Sequence, residues 1–326
     1  MTLTLPTIDL AAPDAAAALA GAFERIGFAQ LTGHGLSPDA RRELRSTCDA
    51  FFATAHSEKL RFVHPDPAAN RGYRAKGAEA LSYSLGEPTP PDLFESFNCG
   101  DDARASSSPL LQPTPWPDAL APGFRAAADA MRAEFEALSA DLDALIETAL
   151  GQQGLLCGRS DRGPDMMACI NYEPGPDGSE PAEPGQQRMG AHSDYTTFTL
   201  LDADPVPGLQ IVGPEGAWVD VVPDRDALLI NIGDVLAMFT NDQWKSTLHR
   251  VVPISAGSAP RRRSVAYFHY PDLDVEVSPL ARFVESRAPA RYAPVTVEAH
   301  LLGKLTAPKV HEPATSASTA AGRPVA

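Results

Sequence analysis

The chain has little cysteine, and what it has is scattered. Cys48, Cys99, Cys157 and Cys169 form no C-x-x-C pair, so neither a zinc cluster nor a disulfide framework is supported. Reduced, buried thiols are expected. Positive charge is also short: 27 lysines and arginines against 42 aspartates and glutamates leave a formal net charge of −15. A field of that sign repels phosphate, which argues against nucleic acid and anionic membrane surfaces as partners. No apolar run reaches the roughly 18 residues a membrane-spanning helix needs, and residues 1–6 hold no basic stretch leading into an apolar one. A cytoplasmic monomer is expected, and no internal repeat is present.

What is there describes a globular protein. At 326 residues the chain can bury a sizeable core. Residues 7–10 form a short extended entry, and 13–25 have helix-forming composition with Leu19, Ala22 and Phe23 at helical spacing, stopped by Gly27. Residues 28–32 predict a strand and 33–35 a turn, in which His34 is a local hydrogen-bonding residue. Ser37 is placed to cap a helix that has Pro38 in its first turn and runs through Leu44, Phe51 and Phe52. From 64 to 117 Pro, Gly, Ser and Asp accumulate in loop-rich territory, with Tyr73, Arg74 and Tyr83 as candidate substrate contacts. A second long helix, 124–150, carries Leu138, Leu142, Leu145 and Ile146 on one face and ends at Gly151.

The period then changes. Strands are predicted at 166–172, 196–201, 209–212, 218–221, 227–232, 235–239, 248–252 and 264–268, a spacing that suits a sandwich, jelly roll or barrel. A last helix is expected over 292–305 and a mobile tail at 306–326. The class is mainly β with supporting helices (α+β): a helical, loop-rich region at 1–120 packed on a core at 121–305.

Candidate chemistry centres on His192-Ser193-Asp194. In an extended segment His192 and Asp194 project to one side, and an antiparallel strand carrying His249 brings a second imidazole to the same point. Two imidazoles and a carboxylate with an open face are the facial triad of non-haem Fe(II) oxygenases; the same donors also suit zinc, so a zinc hydrolase stays open. Further on, Arg262 and Ser264 share one face of a strand. A guanidinium fork beside a hydroxyl is a receptor for a carboxylate, whereas Arg261 and Arg263 read as a solvated face.

His-x-Asp, a later His and then Arg-x-Ser resemble the pattern of the Fe(II)- and 2-oxoglutarate-dependent dioxygenases, in particular the isopenicillin N synthase-like (plant-type) group. Residues 6–10, 27–35, Phe51-Phe52 with Glu58-Lys59, 171–174, 208–210, 231–234 and Lys245-Ser246 extend the likeness over nearly the whole chain. The resemblance implies a double-stranded β-helix (jelly-roll) core with a helical N-terminal region. It implies Fe(II) on His192, Asp194 and His249, the distal carboxylate of 2-oxoglutarate on Arg262 and Ser264, and a further hydrogen bond from Tyr172 with Asn171 nearby. Iron would keep three further positions, two for the 2-oxo acid and one for O2. The implied reaction oxidises, by default hydroxylates, a C–H bond of a small molecule and releases succinate and CO2. After Tyr172 comes Glu173-Pro174-Gly175, where the family often has a second aromatic and two prolines. Arg188 is a candidate substrate anchor and Phe268 a candidate contact, with Phe198 and Trp244 as core or pocket wall and His269 as structural. A 2-oxoglutarate-independent iron oxidase, with Arg262 and Ser264 on the substrate carboxylate, is the alternative; a non-catalytic ligand-binding jelly roll is the remote one.

Overall fold

A computed structural model describes residues 3–86, 89–174, 183–254, 261–285 and 288–305. Strand β1 (Thr7–Asp9) leads to helix α1 (Ala15–Arg25), which buries Leu19, Ala22 and Phe23 as their spacing predicts. The chain leaves α1 at Gly27, where φ is 70° and the Lys245 carbonyl stands where a Cβ would be, so only glycine fits. Strand β2 (Phe28–Thr32) follows, then α2 (Pro38–Phe52), where the Ser37 hydroxyl oxygen accepts from the Ala40 N–H at 3.2 Å. After the single turn α3 (His56–Lys59), the loop-rich span contains two strands that its composition hides, β3 (Gly72–Arg74) and β4 (Glu95–Gly100).

Helix α4 (Phe124–Leu150) ends at Gly151 in the left-handed region. Strands β5 (Met166–Tyr172), β6 (Met189–His192), β7 (Phe198–Ala203), β8 (Leu209–Val212), β9 (Trp218–Asp220) and β10 (Leu228–Ile232) come next. The expected strand at 235–239 is instead helix α5 (Asp234–Phe239). Its five apolar residues are all buried, and an apolar run without alternation carries no period by which to tell strand from helix. Strands β11 (His249–Val251), β12 (Arg262–His269), β13 (Glu276–Val277) and β14 (Val295–Thr296) precede α6 (Val297–Leu305), which starts later than the sequence suggests. The tail at 306–326 lies outside the described residues.

Two sheets make the jelly roll. The larger has the order β1-β2-β10-β7-β12-β5-β4-β3, antiparallel except for β1 on β2, and the smaller the order β6-β11-β8-β9. Alternation divides β5 and β12 between two environments. Ala168, Ile170, Tyr172 and Ala266 join the core between the sheets, whereas Met167, Cys169, Val265 and Tyr267 join the core that holds Phe135, Leu138 and Leu142 of α4. Phe135 and Tyr267 stack at 5.2 Å between centroids. Phe51 of α2 lies 5.2–5.9 Å from the rings of Phe97, Phe124 and Tyr73, tying the helices to β3 and β4. Cys48, Cys99 and Cys169 are buried free thiols, and Cys157 is exposed.

Candidate active site

The register of the smaller sheet does the first part of the work. On β6 and β11, His192 and His249 are directly opposite one another, and their rings sit 4.3 Å apart. Asp194 arrives differently from the extended reading: β6 ends at His192, and Asp194 lies in the crossover that carries the chain to β7 in the other sheet. Its Oδ1 is 3.8 Å from Nε2 of each histidine, and the three ligand atoms all lie within 4.8 Å of one another. Among the described residues no other group of three or more such donors converges.

The surroundings fix what each atom offers. His192 Nδ1 is 2.8 Å from the Gly190 carbonyl oxygen and His249 Nδ1 3.1 Å from that of Thr247. A ring nitrogen facing a carbonyl carries the proton, which leaves Nε2 of both rings as a lone pair aimed at the centre. Burial, helped by the neighbouring His249, pushes His192 down to about 4, so it is a neutral imidazole at physiological pH. Burial works against the Asp194 carboxylate, but the two imidazoles, Asn231 and Thr199 outweigh it and hold the group below its ordinary value. Its Oδ2 accepts from Thr199 Oγ1 and Asn231 Nδ2, both at 2.7 Å, leaving Oδ1 to face the rings. Three acceptors therefore point at one place with no donor among them. A divalent cation suits that set, and the two-imidazole, one-carboxylate chemistry suits iron.

Gly190 makes room for this. A Cβ there would stand 2.7 Å from Ser82 Oγ, 2.9 Å from the Ser82 backbone nitrogen and 3.1 Å from Asp92 Oδ1. Asp92 is buried, accepts from the Leu81 N–H at 3.1 Å, and is pushed up to about 6 by that burial.

The larger sheet supplies the opposite kind of group. Arg262 is 1% exposed; its Nη1 lies 3.4 Å from Ser264 Oγ, and its Nε and Nη2 have no partner. No carboxylate among the described residues is within ion-pair distance of it. Tyr172 lies beneath, its ring centroid 5.2 Å from Arg262 Cζ. A buried guanidinium with donors to spare fits the carboxylate end of a 2-oxo diacid.

Other residues fall in or out by strand parity. Phe268 lines the cavity with Arg262, Ser264 and Tyr172. Asn171 does not: it is on the opposite face of β5, and its Nδ2 donates to Glu95 Oε1 at 2.7 Å. Tyr73 is likewise turned inward, its hydroxyl donating to Glu95 Oε2 at 2.5 Å within the aromatic core. Arg74 pairs with Glu79, and of the two only Glu79 reaches the cavity. Arg188 is fully buried against the Tyr172 ring at 5.9 Å, and Tyr83's side chain is outside the described residues. Arg263 is buried rather than solvated, paired to Asp49 at 2.6 Å and to Glu173 at 3.3 Å. His34 accepts from the Leu36 N–H as a local partner, but its Nε2 also lies 3.1 Å from the Asp226 carbonyl oxygen, far along the chain, and His269 is buried between Asp165 at 2.9 Å and Asp143 at 3.1 Å. Thr199, Asn231 and Asp92 were not singled out from the sequence; only Asn231, within the stretch 231–234, carried a signal.

The cavity between the sheets is about 190 Å³ and largely apolar, with Phe28, Leu81, Phe94 and Met189 among its walls. No helix among the described residues is long and apolar enough to cross a membrane.

Comparison with known proteins agrees with this geometry. Residues 164–271 match the model of the 2OG-Fe(II) oxygenase superfamily, and residues 5–119 that of the non-haem dioxygenase N-terminal region named for morphine synthesis. A 2-oxoglutarate-Fe(II) type oxidoreductase of Aspergillus fumigatus is 31% identical over 83% of this chain and 80% of its own length. Gibberellin 20 oxidase 3 of Oryza sativa is 31% identical over 90% and 79%. Neurospora crassa T7H, solved in complex with alpha-KG, superposes with a TM-score of 0.80 at 28% identity, covering 93% of this chain and 96% of that one.

Proposed function

The chain belongs to the 2-oxoglutarate- and Fe(II)-dependent oxygenase superfamily, and from that premise we propose that His192, Asp194 and His249 hold the iron while Arg262, Ser264 and Tyr172 hold 2-oxoglutarate. Bound together, iron, 2-oxoglutarate and O2 supply the power to oxidise an unactivated C–H bond, with succinate and CO2 as co-products. The chain's own part is to bind, orient and exclude. Nδ1–H bonds to the carbonyls of Gly190 and Thr247 fix the two imidazoles, and Thr199 with Asn231 fixes Asp194. The Arg262 guanidinium, already desolvated, gains an anionic partner when the diacid binds. The apolar walls keep bulk water from the reacting centre.

The observation that carries this reading is the pairing, across a single cavity, of three convergent acceptors with the Arg262 guanidinium, whose Nε and Nη2 have no partner. Hydroxylation of a small molecule is the outcome we assign; a solved relative holding thymine supports that substrate size. We take residues 1–120 as a region joined to the 121–305 core, to whose larger sheet it contributes β1 to β4, and the protein as a cytoplasmic monomer. Anaerobic titration with Fe(II) and then 2-oxoglutarate should produce the visible charge-transfer band of a chelated 2-oxo acid. No band, together with no release of succinate across a substrate panel, would sink the proposal.

A further inference from the structure

Two arginines line the cavity, and the property that singles out Arg262 singles out Arg71 as well. Arg71 immediately precedes β3 and is 4% exposed. Its Nη2 donates to the Leu110 carbonyl at 3.1 Å and its Nη1 to that of Asn70 at 3.4 Å, while Nε has no partner. No carboxylate among the described residues is within ion-pair distance. The two that act on it at longer range, Asp102 and Asp165, are committed elsewhere. Asp102 accepts from Trp116 Nε1, the Thr114 N–H and Arg125; Asp165 holds Tyr267, His269 and the Tyr270 N–H. A buried cation left without an anion is a costly feature for a fold to keep unless a ligand compensates it.

The position of Arg71 separates it from the cosubstrate end. Gly100, on which its guanidinium packs, pairs with Met166, whereas Arg262 pairs with Tyr172. Met166 and Tyr172 are six residues apart on β5, or about 20 Å at strand spacing. Around Arg71 the wall mixes apolar Leu110, Met166 and Phe268 with a polar ladder in which Ser96 Oγ donates to Asn98 and Asn98 to Asn70, each at 2.9 Å.

We propose that Arg71 binds the carboxylate of the substrate, so that the molecule oxidised is a small carboxylic acid with an apolar body. A phosphate ester is disfavoured, because a dianion calls for more cationic groups than the one at this end. The inference rests on the reading of the metal and cosubstrate site above, and deepens it by naming the substrate class.

The test uses Fe(II)- and 2-oxoglutarate-loaded protein under anaerobic conditions, titrated calorimetrically with medium-chain alkanoic and arylalkanoic acids and with the primary amide of each. Acids should bind about tenfold or more tightly than their amides, the worth of a charge-assisted pair. Arg71→Gln should erase the preference, and Arg71→Lys should keep part of it. Gly100→Ala offers a route that leaves the arginine in place: the added Cβ would stand 2.5 Å from Nη2 and 2.8 Å from Cζ and Nε, so the guanidinium must move and the preference must fall. Thermal melts show which variants fold, and Gly100→Ala with Arg71→Lys decides if Arg71→Gln does not. Acids and amides that bind alike, or a preference that survives in the variants, overturn the proposal. So does loss of the 2-oxoglutarate band in Arg71→Gln, which would put the cosubstrate at Arg71. The band in the wild-type sample before acid is added reports separately on the site reading, and the calorimetry still reads acid against amide if that band is missing.

Discussion

Asp194 is the one candidate ligand outside a strand, so its aim depends on side-chain bonds more than on sheet register. Its carbonyl accepts from the Asp234 N–H at 2.8 Å, which fixes the backbone, and its Oδ2 accepts from Thr199 and Asn231 at 2.7 Å each, which fixes the carboxylate. Both donors are buried, so no water replaces them easily. A hydrogen bond to a charged group contributes about 1.5–3 kcal/mol, but these bonds exist with and without metal, so only the orienting part enters the affinity. Loss of such an orienting partner costs about 10- to 100-fold in metal binding. Thr199→Val and Asn231→Leu, which roughly keep volume, should each weaken Fe(II) binding by about tenfold. The double variant should lose more than the product of the two. With one donor left Oδ1 still faces the imidazoles; with neither, the carboxylate turns freely, and two groups on one oxygen are not additive. Anaerobic Co(II) titration, with competition by Fe(II), measures this, and thermal melts in metal-free buffer separate lost affinity from lost fold. Double-variant affinity within about threefold of wild type would refute the assignment of Thr199 and Asn231 as the groups that orient Asp194.

Arg262→Met should raise the concentration of 2-oxoglutarate needed to develop the charge-transfer band by about tenfold or more while Fe(II) binding is retained; an unchanged titration would remove Arg262 from the cosubstrate site. Gly190→Ala should cost about 1–3 kcal/mol by overpacking against Ser82, and Ser82→Ala should not rescue it, because the Ser82 backbone nitrogen is also in the way. A wild-type melting temperature for Gly190→Ala would show that the segment is free to yield. Burial pulls His269 down, but the carboxylates of Asp165 and Asp143 overcome it and raise the group to about 10 from an ordinary 6.5. The folded state then holds the extra proton, so this contribution is complete below 6.5 and is lost as pH rises through about 10. His269→Gln should flatten the fall of melting temperature between those limits and cost about 3–5 kcal/mol near neutrality; an equal slope in both proteins would contradict it.

The parts of the fold legible in the sequence are those where one period dominates. Helix α4 spans the residues its apolar spacing marks, and β5 and β8 match their predicted bounds. Where the period was absent or broken, the reading failed. Val235–Phe239 gave no alternation and is a helix, and Glu95–Gly100 was passed over because its cavity-facing Ser96 and Asn98 are polar where a strand against a core usually carries apolar residues. At the site, His192 and His249 were recoverable because cross-strand pairing needs only two strands of the right spacing. Asn171 and Tyr172 are neighbours on a strand and face opposite ways, so strand parity alone separates Asn171 from the face on which Tyr172 meets the cavity. Arg71 was not recoverable, since its partners Leu110 and Gly100 are distant in the chain and its lack of an acid is a fact of three dimensions.

The two ends of the cavity share one electrostatic logic. Strand register holds two imidazoles within 4.3 Å, where both cannot be protonated without mutual repulsion, and carbonyls on each Nδ1 force the lone pairs inward. Asp194 adds a third acceptor at the same point, its charge held by the two imidazoles, Asn231 and Thr199. Arg262 is the converse, a buried donor set facing no acceptor. Folding alone relieves neither: the pairing of β6 with β11 sets the two imidazoles opposite one another, and the pairing of β12 with β5 sets Arg262 beside Tyr172. A cation resolves the first group and an anion the second, so a single chelating molecule that bridges a metal to a guanidinium relieves both at once. If metal and diacid are held as proposed, His192, Asp194 and His249 would hold the cation and Arg262 with Ser264 the anionic end, each ligand relieving the group it meets.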